Sequence, residues 1–339
     1  MPHARRPPDR LTRGVRAATP AGMTETHILM PAPMPAAVIA ALDARFTLHR
    51  LWEQPDPDAY LAEHAPAIRG LAANTLAGRV DDALFDRLPA LEIVANFGVG
   101  YDNIDAQAAA ARGIMVTNTS GVLDAEVADL ALGLLLATVR RLPQADRYVR
   151  EGRWEQGSFP LSPTLRGRTV GILGLGAIGQ QIARRLEGFD VAIAYHQRTR
   201  RDDRGYTYHD TPVALAAACD VLIAIVPGGA ATRHLVNAAV LEALGKDGIF
   251  INVARGSVAD EAALIAALRE GTILAAGLDV YADEPHVPAE LRAMDNVVLL
   301  PHLGSASEQT RAAMGQLVVD NLVSWFDTGK ALTAVPETA

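Results

Sequence analysis

This 339-residue chain contains a single cysteine, Cys219, so no internal disulfide and no cysteine-based zinc site can form. The thiol precedes an apolar run and is expected to be a buried core group. Lysine is nearly absent. Lys246 and Lys330 are the only two, and arginine carries the remaining positive charge. The net charge of −8 leaves no basic field for nucleic acid. The longest apolar run, 130–139, is about half of what a bilayer crossing requires, so no membrane partner is expected. No cluster of residues suggests a metal site. The first 22 residues have no apolar segment of the kind a secretory signal carries. They hold Arg5, Arg6, Arg10, Arg13 and Arg16 against Asp9, with four prolines interspersed. Residues 1–23 are therefore expected to be a disordered or wrongly assigned extension, and the protein to be cytoplasmic.

What is present fits a globular enzyme-sized chain. Hydrophobic residues make up 50% and charged residues 21%, and the length favours two domains. From Thr26 onward, short apolar runs alternate with alanine-rich helical stretches, the pattern of βαβ units and an α/β fold. The first set of strands is expected at 27–32, 46–52, 68–74, 92–98 and 114–118, with helices such as 35–44 and 81–88 between them. A long helical stretch over about 125–151 follows, broken or kinked near Pro143. A second set is expected at 168–174, 191–195, 221–227, 248–254, 274–280 and 296–302. A helix over about 307–327 closes the pattern.

The strongest local signal opens the second set. Gly174, Gly176 and Gly179 form a G-x-G-x-x-G turn between a strand and a helix. The first glycine allows the tight turn and the second admits a pyrophosphate to the backbone. The third permits close helix–strand packing, and the helix N-terminus supplies positive field. Ala177 and Ile178 complete this dinucleotide-binding turn. An NAD site usually places an acid about 20 residues further on. Here the next strand runs into His196, Gln197, Arg198 and Thr199, with no carboxylate. Arg198 and Thr199 suit a 2′-phosphate, so NADP(H) is the expected cofactor, with NAD(H) possible.

Three further residues follow successive strands: Arg255, Glu284 and His302. In a doubly wound sheet, residues beyond the carboxyl ends of the strands converge on the ligand crevice. A histidine can protonate a developing alkoxide, and a carboxylate beside it stabilises the charged ring. An arginine fork binds a substrate carboxylate. The backbone of Val99 and Gly100 can offer N–H groups to the same carboxylate.

This constellation resembles the D-2-hydroxyacid dehydrogenase family from about residue 26 onward. The segment 95–105 resembles that family's substrate loop and 120–136 the start of the helix linking its two domains, while 141–154 and 227–235 resemble its glyoxylate/hydroxypyruvate reductase branch. The resemblance implies two Rossmann-like domains, each a doubly wound parallel sheet, with a cleft between them. The substrate domain would comprise 24–121 and 307–336, and the coenzyme domain 122–306. The resemblance also implies reduction of small 2-oxo acids, with Arg255, Glu284 and His302 catalytic. Asp279 would hold the nicotinamide carboxamide. Val127, Val226, Pro227, Thr232, Val253, Ala254 and Gly304 would line the cofactor. Leu76 and Trp52 are candidate pocket walls. A phenylpyruvate-type reductase and a non-catalytic dinucleotide-sensing protein remain alternatives. A homodimer built on the 125–151 helix, with Trp154 at its end, is implied as well.

Overall fold

A computed structural model describes residues 25–201 and 205–339. The expectation for 1–23 falls outside them. Strands β1 (His27–Met30), β2 (Thr47–Arg50), β3 (Ile68–Ala73), β4 (Ile93–Asn96) and β5 (Met115–Thr117) form one sheet. Its order is β2-β1-β3-β4-β5, and every neighbouring pair is parallel. Strands β6 (Thr169–Leu173), β7 (Ala192–His196), β8 (Thr207–Tyr208), β9 (Val221–Ala224), β10 (Ile249–Asn252), β11 (Ala275–Leu278) and β12 (Val297–Leu299) form a second. Its order is β12-β11-β10-β9-β6-β7-β8, again parallel throughout. The switch point lies between β6 and β9, where such sheets bind ligands. Parallel strands are covered on both faces, which explains unbroken apolar runs such as Val221–Ala224, buried at all four positions. Cys219 is buried as expected, and burial pushes its thiol up to about 12.

The helix Glu308–Thr328 returns to the first sheet. There Met314, Val318 and Leu322 share a core with Ile28, Met30, Val38 and Leu42. The helix Asp124–Arg140 packs on the second sheet, where Leu134 and Leu135 join Val170, Ile172 and Ile251. Gly277 is required beneath it: a Cβ there would lie 2.5 Å from Thr138 Oγ1. No helix among the described residues is long and apolar enough to cross a membrane.

The helical stretch 125–151 breaks near Pro143, as expected: it is two helices, Asp124–Arg140 and Leu142–Arg150, separated at Arg141. A proline ring clashes with the carbonyl four residues back, so Pro143 is tolerated only in the first turn of a new helix. Arg141 takes the left-handed conformation, φ 53°, that lets the chain restart. Two expectations need correction. First, the strand runs stop short of their apolar ends. β9 ends at Ala224, leaving 225–227 as loop at the carboxyl edge. Second, the two-residue edge strand β8 was not anticipated, because two residues carry no periodicity.

Candidate active site

The glycine turn has the geometry its spacing requires. Gly174 sits at φ +106°, and a Cβ there would come within 2.9 Å of Ile225 O. A Cβ on Gly179 would lie 2.0 Å from Gly174 O, so only glycine lets the helix Ala177–Leu186 start so close to β6. Nothing lies within 4 Å of a Cβ on Gly176, which caps that helix and leaves its first-turn amides open. Ala177 and Ile178 form the first turn. The cradle therefore fits a pyrophosphate.

The remaining expected cofactor residues surround this cradle. His196 ends β7, accepts from Gly174 N at 2.9 Å through its carbonyl, and sets its ring Nδ1 2.9 Å from His209 O. Arg198 and Thr199 are exposed just beyond it. Val226 and Pro227 follow β9, and Thr232 donates its hydroxyl to Pro227 O at 2.6 Å, closing the loop. Val253 and Ala254 are buried after β10. Val127, on the helix Asp124–Arg140, faces Gly304, where a Cβ would sit 3.5 Å from a Val127 methyl.

The catalytic candidates gather at the same edge. His302 Nδ1 lies 2.7 Å from Glu284 Oε2, and both side chains stay partly exposed. Burial alone would raise the Glu284 carboxyl. The hydrogen bond and charge of His302, the Tyr281 amide and the Arg255 charge outweigh it, so the group lies below the ordinary range and stays ionised. His302 adopts φ 54°, in the left-handed region. Asp279 holds it there. Its backbone carbonyl accepts from His302 N at 2.9 Å, and its carboxylate accepts from Leu303 N at 2.6 Å and Gly304 N at 2.9 Å. Burial raises the Asp279 carboxyl, which is 1% exposed. Both its oxygens thus have backbone partners, and Asp279 sets the turn that presents His302.

Arg255 reaches across the crevice. Its Nε donates to Asp102 Oδ1 at 3.0 Å and its Nη1 to Ala254 O at 2.8 Å. Its other amino group lies against Gly100, where a Cβ would be only 1.5 Å away. Glycine at 100 is thus what admits the guanidinium. The loop from Gly98 to Gly100 is fixed from behind. Asn96 donates to the carbonyls of Gly98 and Gly100, and Asn118 to that of Val99. Asp102 and Gly228 were missed in the sequence. A Cβ on Gly228 would come within 2.9 Å of Asp102 and 3.0 Å of Arg255, so the 227–229 loop closes over the pair. The signal for Asp102 was an acid two residues beyond the glycine loop that the arginine had to approach. Leu76, 75% exposed, lines a cavity of about 350 Å³ beside this loop. Trp52 does not; it packs on the core of the first sheet.

A glycine cradle at the switch point of one sheet, facing a histidine–carboxylate pair and an arginine at the boundary with a second sheet, defines an α/β dehydrogenase architecture. The chain belongs to the D-isomer specific 2-hydroxyacid dehydrogenases, whose NAD-binding domain matches residues 132–304. It is 47% identical to a glyoxylate/hydroxypyruvate reductase A of Arabidopsis thaliana over 92% of this chain and 100% of that protein. It is 45% identical to a hydroxyphenylpyruvate reductase of Plectranthus scutellarioides over the same shares. Among solved structures it is similar to an NADPH-dependent glyoxylate/hydroxypyruvate reductase of Sinorhizobium meliloti in complex with NADP and malonate. That match has a TM-score of 0.88 and 55% identity, covering 93% of this chain and 98% of that one.

Proposed function

We propose that the protein reduces small 2-oxo acids, glyoxylate and hydroxypyruvate, to D-2-hydroxy acids with NADPH. The observation that carries this is the His302–Glu284 pair at 2.7 Å, facing the same crevice as Arg255. When bound, the dinucleotide supplies hydride to the carbonyl carbon. Arg255 binds the substrate carboxylate through its fork, aided by the backbone amides of Val99 and Gly100. His302 gives its proton to the developing alkoxide, and the Glu284 carboxylate stabilises the charged ring beforehand. The acid 2-oxo substrate replaces Asp102 as the carboxylate on Arg255.

The coenzyme preference rests on the end of β7. No acid stands there to repel a 2′-phosphate, and Arg198 and Thr199 lie exposed within the loop that follows. In the same reading, 24–121 with 307–336 form the substrate domain and 122–306 the coenzyme domain. The protein is a cytoplasmic homodimer, with exposed Leu142, Val149, Trp154 and Leu161 forming the contact surface.

Steady-state assays with glyoxylate and each coenzyme test the proposal. One or two charge-assisted contacts favour NADPH by roughly 10- to several-hundred-fold in kcat/KM. Arg198→Ala should erase most of that ratio by weakening NADPH. Equal kcat/KM with both coenzymes would reject the preference, and no turnover with either would reject the activity.

A further inference from the structure

The cavity beside the substrate loop contains a cation that the reduction of glyoxylate does not use. Its lining includes the apolar Met34, Pro35, Leu76 and Phe97 beside the polar Asn74 and Thr75. Arg311 supplies its one charged wall. Arg311 lies in the first turns of Glu308–Thr328, and its guanidinium stacks over the Phe97 ring at 5.6 Å. Phe97 immediately precedes the Gly98–Gly100 loop, so the cavity starts where the substrate's carboxylate cradle starts.

Several of the chain's other arginines carry a carboxylate partner. Arg255 has Asp102, Arg185 has Asp129, Arg112 has Asp82 and Asp86. Among the described residues, no carboxylate lies within 4 Å of Arg311. Burial draws its guanidinium below the ordinary value, and no acid counteracts the effect. The side chain nevertheless stays charged, as arginine does in proteins. A partly desolvated cation aimed into a cavity is poorly compensated, and an anion from outside would correct that. Asn74 donates to Pro33 O at 2.9 Å and accepts from Leu76 N at 2.9 Å, which fixes its amide at the cavity wall and leaves one N–H and one lone pair unused by these bonds.

We propose that Arg311 and this cavity form a second anion subsite that selects 2-oxo acids bearing a distal carboxylate. Arg255 would take the carboxylate next to the keto group, and Arg311 the one at the far end of the tail. The proposal rests on the reductase reading of the same site and extends it from the smallest acids to 2-oxo dicarboxylates.

The test compares 2-oxoglutarate with 5-methyl-2-oxohexanoate, whose tail has the same branching and number of heavy atoms but no charge. Glyoxylate, which has no tail, provides the scale. A charged hydrogen bond corresponds to roughly a 10- to 100-fold effect. The unmodified protein should favour 2-oxoglutarate over the neutral acid by about that factor in kcat/KM. Arg311→Gln should cost 2-oxoglutarate at least about 10-fold more than it costs glyoxylate, chiefly through KM, and Arg311→Lys should restore part of it. Calorimetric titration of the NADP-loaded protein with the two tailed acids reads the same preference without turnover. If no 2-oxo acid is reduced, the reductase reading fails, while the calorimetric difference still decides the subsite. A preference for the neutral acid, for phenylpyruvate or for an uncharged polyhydroxylated tail would overturn the proposal. So would an Arg311→Gln loss that is equal for glyoxylate and 2-oxoglutarate.

Discussion

Two histidines in this molecule each sit within hydrogen-bond distance of a strong partner, and they are built for opposite ends. His302 stands at the crevice, half open, with a carboxylate 2.7 Å from its ring. His49 is 3% exposed on β2. Its Nε2 meets His27 Nδ1 at 2.8 Å, its Nδ1 meets the Tyr60 hydroxyl at 2.8 Å, and the His64 ring lies 5.1 Å away. Burial lowers the His49 ring to about 4, with the neighbouring charges of His27 and His64 adding to it. One site has a counter-charge beside its ring; the other has two further imidazoles and a neutral hydroxyl. The partner's charge, more than proximity itself, separates a group that can exchange protons from one that holds a fold together.

Breaking the crevice pair should have the largest effect. His302→Ala should lower kcat by about 10²-fold or more while leaving the thermal midpoint nearly unchanged. Wild-type turnover by that variant would remove His302 from the chemistry. The buried site should show the reverse pattern, an effect on stability without direct effect on chemistry. Its folded value of about 4 lies below the ordinary histidine value of 6.5, so the unfolded chain binds the extra proton. Stability from this group is complete above about pH 6.5 and lost as pH falls toward 4, about 2 kcal/mol of it by pH 5. Urea unfolding at pH 7 and pH 5 measures this loss, and His49→Leu should flatten that part of the slope. An unchanged slope would mean other groups carry the acid sensitivity. Glu284→Gln sharpens the comparison with the smallest change. It gives the crevice histidine a neutral partner, so kcat for reduction should fall by about 10-fold. An unchanged kcat would show that the charge of Glu284 does not contribute to the step.

A comparable contrast governs what the sequence disclosed. The glycine turn was legible because each glycine answers a separate local demand, and all three lie within six residues. Arg255, Glu284 and His302 were legible because a parallel sheet brings strand ends together whatever the distance along the chain. Asp102 was not, since it meets Arg255 across 153 positions and from the other sheet. Asp279 was expected to touch the cofactor; its packing adds a task the sequence did not show, holding the turn at 302–304, and leaves acceptor lone pairs on both oxygens. Fold class followed from alternation alone. Strand ends, the break at Arg141 and the edge strand β8 depend on packing and sterics that periodicity does not encode.

The return of the helix Glu308–Thr328 to the first sheet has a consequence for biosynthesis. Ile28, Met30, Val38 and Leu42 leave the ribosome before the second sheet, yet the residues that cover them, Met314, Val318 and Leu322, emerge only after it. At ordinary elongation rates the interval is on the order of tens of seconds. The second sheet, contiguous in the chain, can complete its core in the meantime. The half of the molecule that is made first is thus finished last. During that interval its apolar face is open to chaperones and to neighbouring nascent chains, and a ribosome stalled before residue 308 would release a protein with an intact coenzyme cradle and an uncovered substrate half.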